Sequence, residues 1–368
     1  MDNKFPSNVS LWLSDVDNGR VQVLDQRVLP FETRIFEIST LEQACYSIRE
    51  MVVRGAPLIG VTAAYGMYLA ALNSDGPDRD NTMLQAEIVL NATRPTAVNL
   101  FRMTGRMAAV YKQNKGKADV VSDLLLEANR IRNEEIEACR LIGEHGLPLI
   151  HEIGSRKKGK PVQILTHCNA GWLACVEWGT ATAPIYLAHR MGIPIHVWVD
   201  ETRPRNQGAR LTAYELGLAG VPHTIIPDNA GGHLMQKGMV DMVITGSDRT
   251  TRNGDVANKI GTYLKAVAAA DNGIPFYVAL PSSTFDLDLV NGVDSIPVEE
   301  RDASEVSFAE GWNGESISSV RIIPEKSPVA NYGFDITPAR LVTMLITEKG
   351  LCKPDEKSIV TLINTNNE

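Results

Sequence analysis

The pattern of apolar and polar positions divides the chain into two textures. From Val21 to Ile38, VQVLDQRVLPFETRIFEI alternates apolar and polar residues on either side of Pro30, the pattern of a hairpin or small sheet. LEQACYSIREMVV, from Leu41, has apolar residues at helical spacing and runs into the loop RGAPLIG. VTAAYGMYLAAL is apolar almost throughout and predicts a buried helix, ended by the turn residues of NSDGPDRDN. Two or three further helices follow, broken by NATRPTAVNL. A charged helical pattern from Asp119 to about Gly143 then bridges to the second half. SRKKGKP reads as an exposed basic loop, a solvated turn before a strand.

Beyond Pro161 short apolar strands alternate with helices. VQILTH, IPIHVWVDET, HTIIPD, MVDMVITGSD and PFYVALPSS read as strands. AGWLACVEWGTATAPIYLAHRMG reads as a long helix and ARLTAYELGLAG as another. Such an order predicts βαβ units and a doubly wound parallel sheet. A chain of 368 residues is long for one core and suggests two domains. The expected division is a mixed helical and small-sheet domain over 1–125 and an α/β domain over 126–368.

Composition narrows the class. Hydrophobic residues make up 44% and charged residues 22% of the chain, the proportions of a globular protein. No apolar run approaches the roughly 20 residues needed to cross a bilayer. The start MDNKFPSNVSLW lacks a basic segment followed by an apolar one, so no signal peptide and a cytoplasmic location are expected. With a formal net charge of −8 and no Lys/Arg block, neither nucleic acid nor a membrane surface is the expected partner. The five cysteines, odd in number and scattered, suggest reduced thiols.

In a doubly wound sheet, ligands bind outside the carboxyl ends of the strands. Four consecutive predicted strand ends here are densely polar: Thr166-His167-Cys168-Asn169, Asp200-Glu201-Thr202-Arg203, Asp228-Asn229 and Gly246-Ser247-Asp248-Arg249. That concentration points to a polar small molecule. No G-x-G-x-x-G follows the first strand and no G-x-x-x-x-G-K-[ST] is present, which disfavours dinucleotide and P-loop chemistry. The histidines show neither H-E-x-x-H nor a Cys-paired zinc spacing, so no metal is expected. His167 and Cys168 are adjacent on a strand, point to opposite faces, and would not ligate together.

Each candidate also has an ordinary reading. Cys168 is either a small core residue or a reactive thiol at the N-terminus of the long helix, where the helix dipole would lower its pKa. Asp248 is either the N-cap of a following helix or an acid. Asn258 and Lys259 would form a surface pair on that helix, and Arg54 a structural salt bridge.

Together, RGAPLIG, THCNAG, DETRPRNQGARLTAYEL, TGSDRTTRNGDVANKIGTY, PFYVALPSSTFD and NYGFDITPARLVT resemble the methylthioribose-1-phosphate isomerase family, in the family's order from about Val21 to Glu348. The resemblance implies an aldose–ketose isomerase of a 5-modified ribose 1-phosphate, usually a homodimer, without cofactor or metal. In it a smaller N-terminal domain covers the strand ends of a Rossmann-like domain. It places Cys168 and Asp248 at the two catalytic positions. It brings Arg54, Gly55, Ala56, Arg94, Gln207, Asn258 and Lys259 to the substrate and phosphate. 5-Methylthioribose 1-phosphate is the expected substrate, with 5-deoxyribose 1-phosphate beside it. Ribose-1,5-bisphosphate isomerase and a non-catalytic regulatory subunit of the initiation-factor exchange complex remain as alternatives.

Overall fold

The first half folds around a helix with no polar face. The computed structural model describes residues 8–14, 19–74, 78–94, 97–117 and 119–364. The segment before Asn8 and parts of NSDGPDRDN and NATRPTAVNL lie outside them. Strands β1 (Leu11–Leu13), β2 (Val21–Leu24) and β3 (Ile35–Ile38) form a small antiparallel sheet. Val21 pairs with Ile38 and Leu24 with Ile35, the hairpin that the alternation predicts. Helix α1 (Leu41–Arg49) is capped by the Thr40 side chain, which accepts from the Gln43 N–H. In α2 (Ala56–Leu72) every residue from Ala56 to Ala71 is buried. It is enclosed by α1, α3 (Arg79–Asn91), α4 (Val98–Asn114) and α5 (Val120–Arg156). A helix buried all round carries no amphipathic stripe, which is why its sequence is apolar throughout.

Helix α5 departs from the expected pattern. It runs 37 residues and continues past Gly143 through Pro148, so that SRKKGKP is helical at Ser155 and Arg156 and shrinks to a turn. The continuation is apolar where it matters: Ile142, Leu147, Leu149, Ile150 and Ile153 pack into the core of the second half. Val120, Leu124, Ala128 and Ile131 belong to the core of the first. One helix therefore serves both cores, and the position between residues 125 and 126 falls inside it.

The second half is built on a seven-stranded sheet in the order β16-β15-β10-β7-β4-β5-β6. These are β4 (Val162–Thr166), β5 (Ile195–Asp200), β6 (His223–Ile226), β7 (Met242–Thr245), β10 (Phe276–Ala279), β15 (Met344–Thr347) and β16 (Gly350–Cys352). All neighbours are parallel except β16, which runs antiparallel to β15. The helices of this half are α6 (Ala183–Arg190), α7 (Ala213–Leu218), α8 (Ala230–Gln236) and α9 (Thr262–Asp271). The chain goes from β4 outward through β5 and β6, then returns to β7 on β4's other side. That reversal makes the β4/β7 boundary the topological switch point, where a crevice opens at the carboxyl ends. A second sheet, β11 (Phe285–Asp286), β8 (Arg249–Thr251), β9 (Val256–Lys259) and β14 (Phe334–Thr337), adjoins it, and β12 (Phe308–Trp312) with β13 (Ile317–Arg321) makes a two-stranded ribbon.

Two expected helices are absent. After β4 there is no long helix over 170–192. A single 3-10 turn at Trp172–Ala174 and an irregular stretch precede α6. Cys168 and Trp178 have left-handed backbones (φ 65° and 64°), and the N–H groups of Trp172 and Leu173 bond to Glu215 instead of a helix. After β7 the chain turns into the β8–β9 hairpin, so Asp248 caps no helix and Asn258 and Lys259 lie on a strand. Pairing of β9 with β14, with Asn258 opposite Asp335, recruits those residues into a sheet that their local sequence does not announce.

Candidate active site

The switch point brings together residues from both halves. The loop after β4 supplies Cys168, the loop after β7 supplies Asp248, β9 supplies Asn258, and the entrance to α2 supplies Arg54, Gly55 and Ala56. All of them line one cavity. Gly55 has φ 96°, and a Cβ there would lie 2.4 Å from the Ala174 carbonyl oxygen, so only glycine allows this approach of the two halves. No side chain caps the N-terminus of α2, whose first N–H groups are available to an anion beside Arg54. The cavity continues past Arg54 and Gln207 to Gln26, Arg27, Met51, Arg205, Arg210 and Leu211.

Cys168 is buried, and its thiol donates to the Gln207 amide oxygen (Sγ···Oε1 3.1 Å). Its backbone N–H donates to Thr202 Oγ1 at 2.8 Å, and its carbonyl accepts from Thr212 Oγ1 at 2.7 Å. Burial pushes the thiol pKa up, against the pull of Arg54 and Lys259. The expected lowering by a helix dipole is therefore overturned, because no long helix begins at this loop. Burial likewise raises the Asp248 carboxyl, with Lys259, Arg54 and Arg94 opposing it.

The cations of the site pay for the same desolvation in the opposite sense. Burial lowers Lys259 and Arg94, while Asp248 supports the charged form of both. Lys259 Nζ donates to the Gly333 carbonyl at 2.9 Å and sits 5.0 Å from the centre of the Phe334 ring. Arg94 Nη2 is 3.3 Å from Glu299 Oε2, and its buried Nε has no hydrogen-bond partner among the described residues. Arg54 Nη1 donates to Asn169 Oδ1, and Asn258 Nδ2 donates to Thr262 Oγ1 at 3.0 Å. An unmatched buried donor among three cations suits an anionic group of the substrate.

All nine residues singled out in the sequence thus converge on the switch point, and several others join them unannounced. Glu299 and Arg301 come from a segment after β11 that carries no motif. Thr202, Asn169 and Glu215 stand inside the quoted motifs but gain roles only through their contacts. Cys175 borders the cavity too. His167, Asp200 and Asp228 form the one cluster among the described residues with metal-like spacing. Its groups are already engaged. His167 Nδ1 meets Asp200 Oδ2 at 2.8 Å, Lys265 Nζ lies 3.1 Å from the same oxygen, and Asp228 accepts the N–H groups of Thr202 and Arg203. An ammonium from α9 stands where a cation would neutralise the carboxylate.

Comparison with known proteins agrees with this geometry. A family model described as "Initiation factor 2 subunit family" matches residues 52–354. A methylthioribose-1-phosphate isomerase from Desulfosudis oleivorans is 55% identical over 354 residues, covering 96% of each chain. Among solved structures, 5-methylthioribose 1-phosphate isomerase from Pyrococcus horikoshii OT3 aligns with a TM-score of 0.83 at 36% identity, covering 99% of this chain and 97% of that one. The delta subunit of translation initiation factor eIF-2B from A. fulgidus aligns with a TM-score of 0.79 at 37% identity, covering 97% of this chain and 99% of that one.

Proposed function

The chain belongs to the initiation factor 2 subunit family, on its methylthioribose-1-phosphate isomerase side, and we propose that it converts 5-methylthioribose 1-phosphate into 5-methylthioribulose 1-phosphate. One observation carries the reading beyond kinship. A thiol and a carboxyl, both held toward their protonated forms by burial, share one crevice with Arg54, Arg94 and Lys259. A binding subunit with no chemistry to perform has no need of that pair.

The substrate is locked as a glycosyl phosphate, so its ring must be opened before the sugar can isomerise. In our reading Asp248 and Cys168 form the acid/base pair across these steps. A carboxyl raised by desolvation supplies a proton to an oxygen of the sugar near neutral pH. The C2 hydrogen ends on C1 and the O2 proton is removed. Oxidation at C2 balances reduction at C1, and no external electron acceptor enters. Arg54, Arg94, Lys259 and the free N–H groups at Gly55 and Ala56 hold the phosphate, while Gln207 and Asn258 contact the sugar.

The C5 substituent meets the apolar part of the wall, Pro57, Ala170, Ala174 and Pro281. On that basis 5-deoxyribose 1-phosphate is also a substrate, since losing a thioether costs at most a few kcal/mol. Ribose 1,5-bisphosphate is a poor one. Of the arginines in the cavity's continuation, Arg27 is paired with Asp25, Arg205 with Glu305 and Arg210 with Glu310, so each already has a carboxylate where a second dianion would need it. We take the working form to be a cytoplasmic homodimer. The test is to follow ketose formation by NMR for the three compounds under one condition. A faster reaction with the bisphosphate, or inertness of the deoxy compound, would remove the apolar C5 site.

A further inference from the structure

Behind the crevice, a carboxylate that touches no cavity wall organises the loop that does. Glu215, on α7, is fully buried, and each of its oxygens accepts two hydrogen bonds. Oε1 accepts from Asn169 Nδ2 and from the Leu173 N–H, both at 2.9 Å. Oε2 accepts from the Trp172 N–H and the Tyr186 hydroxyl, also at 2.9 Å. Three of the four donors belong to the loop that follows Cys168. A Cβ on Gly171 would fall 1.7 Å from Oε2, so loop and carboxylate are in the closest contact the chain allows.

The consequence runs through one amide. Asn169 can present either oxygen or nitrogen to a given neighbour. With its nitrogen committed to Glu215 and to Thr212 Oγ1 at 3.1 Å, its oxygen must face Arg54, whose Nη1 it accepts. We propose that Glu215 is a positioning residue for the anion-binding arginine. It fixes the orientation of Asn169, and Asn169 in turn aims Arg54 at the phosphate. This inference rests on the reading above that Arg54 meets the phosphate.

Only a doubly accepting carboxylate fits this role. A glutamine of the same shape turns one oxygen into a donor. With its amide nitrogen at Oε2 it faces the Trp172 N–H, donor against donor. With its nitrogen at Oε1 it faces the Leu173 N–H and pushes Asn169 to flip, which points the Asn169 nitrogen at Arg54. Exchanging carboxylate and amide restores the match between the two side chains. With E215Q and N169D together, the introduced amide nitrogen donates to the introduced carboxylate, which still offers an oxygen to Arg54.

The experiment measures KM and kcat for 5-methylthioribose 1-phosphate. Alongside it, the affinity for inorganic phosphate is measured by phosphorus NMR titration, which needs no turnover. E215Q is expected to raise KM and to weaken phosphate binding at least about tenfold, the loss of a hydrogen bond that holds a charged group. N169D alone, which sets two carboxylates against each other, should do the same. The exchanged pair E215Q/N169D should recover most of both losses. If E215Q does not fold, N169A carries the test, because it leaves Glu215 and the two backbone donors in place and must still raise both constants. Constants within about twofold of wild type in N169A, or losses in the exchanged pair that multiply, mean that Glu215 merely glues the loop. An inactive wild type would overturn the functional reading alone, since the phosphate titration still decides this one.

Discussion

The loop after β4, which carries Cys168, and the hairpin after β7, which carries Asp248, face each other across the switch point and are held by different means. Cys168 sits in a left-handed backbone conformation and depends on side chains far along the chain: Thr202, 34 residues away, Gln207, 39 away, and Thr212, 44 away. Asp248 depends on its neighbours. Its N–H bonds to the Ala257 carbonyl at 2.9 Å, Arg249 pairs with Ala257 and Thr250 with Val256, and the Ser247 and Thr250 hydroxyls bond at 2.9 Å. One reacting group is placed by a tertiary side-chain network, the other by a local ladder of backbone bonds. Single substitutions at a distance should therefore disturb the first and spare the second.

The strongest test treats the two arms as chemically equal. Cys168→Ser and Asp248→Asn should each lower kcat by about 10²–10⁴, the usual loss of an acid/base group, with little change in secondary structure by circular dichroism. A variant that keeps more than about a tenth of wild-type turnover removes its residue from the pair. Next in size is Gly171→Ala, which drives a methyl group into Glu215. It should cost about 3 kcal/mol in urea unfolding, or force the loop to move with loss of activity. A neutral outcome in both readouts would mean that the Cys168 arm is far more pliable than its contacts imply.

Thr202→Val compares the arms directly. It leaves the Cys168 N–H buried without its acceptor and should cost about 1–3 kcal/mol, with a fall in kcat/KM. Thr250→Val on the other arm frees only a hydroxyl of the partly exposed Ser247 and should cost about 0.5–1 kcal/mol. Equal losses would abolish the distinction drawn between network and ladder.

The smallest expected effect concerns pH. The Asp248 carboxyl is raised above its ordinary value, so the folded state binds its proton more tightly than the unfolded chain does. Its contribution to stability is present below the unfolded pKa of about 3.9 and is lost as pH rises through the folded value. Asp248→Asn carries no such loss. Its stability relative to wild type should improve from pH 4 toward pH 7 in thermal unfolding, while its turnover stays low. A relative stability that falls over that range would show that Lys259, Arg54 and Arg94 outweigh burial at this carboxyl.

How much of this was legible depends on the arm. The strand ends of the second half could be located because strands buried on both faces read as short apolar runs, and the polar residues that end them stand out. THCNAG and TGSD therefore marked the site before its geometry was known. The helices assigned after both motifs were wrong, and for related reasons. Apolar residues such as Trp172, Leu173, Cys175 and Val176 fit a helix by spacing, yet the N–H groups of Trp172 and Leu173 belong to Glu215, some 43 residues on. Asp248 looked like a helix cap because Ser, Asp and Asn suit caps and turns alike, whereas pairing of β9 with β14 decides for strand.

By itself the sequence determined the alternation of strand and helix, the buried character of α2, and the identity of the polar groups at the strand ends. Periodicity and residue type are local properties, and a buried element must be apolar wherever it packs. The tertiary structure alone decided that α5 belongs to both cores, that the Cys168 loop is not helical, and that its thiol is raised instead of lowered. It also decided that Glu299, Arg301 and Glu215 belong with the site. Those outcomes rest on burial and on hydrogen-bond partners tens of residues apart, and desolvation and long-range pairing exist only once the two halves have closed on each other.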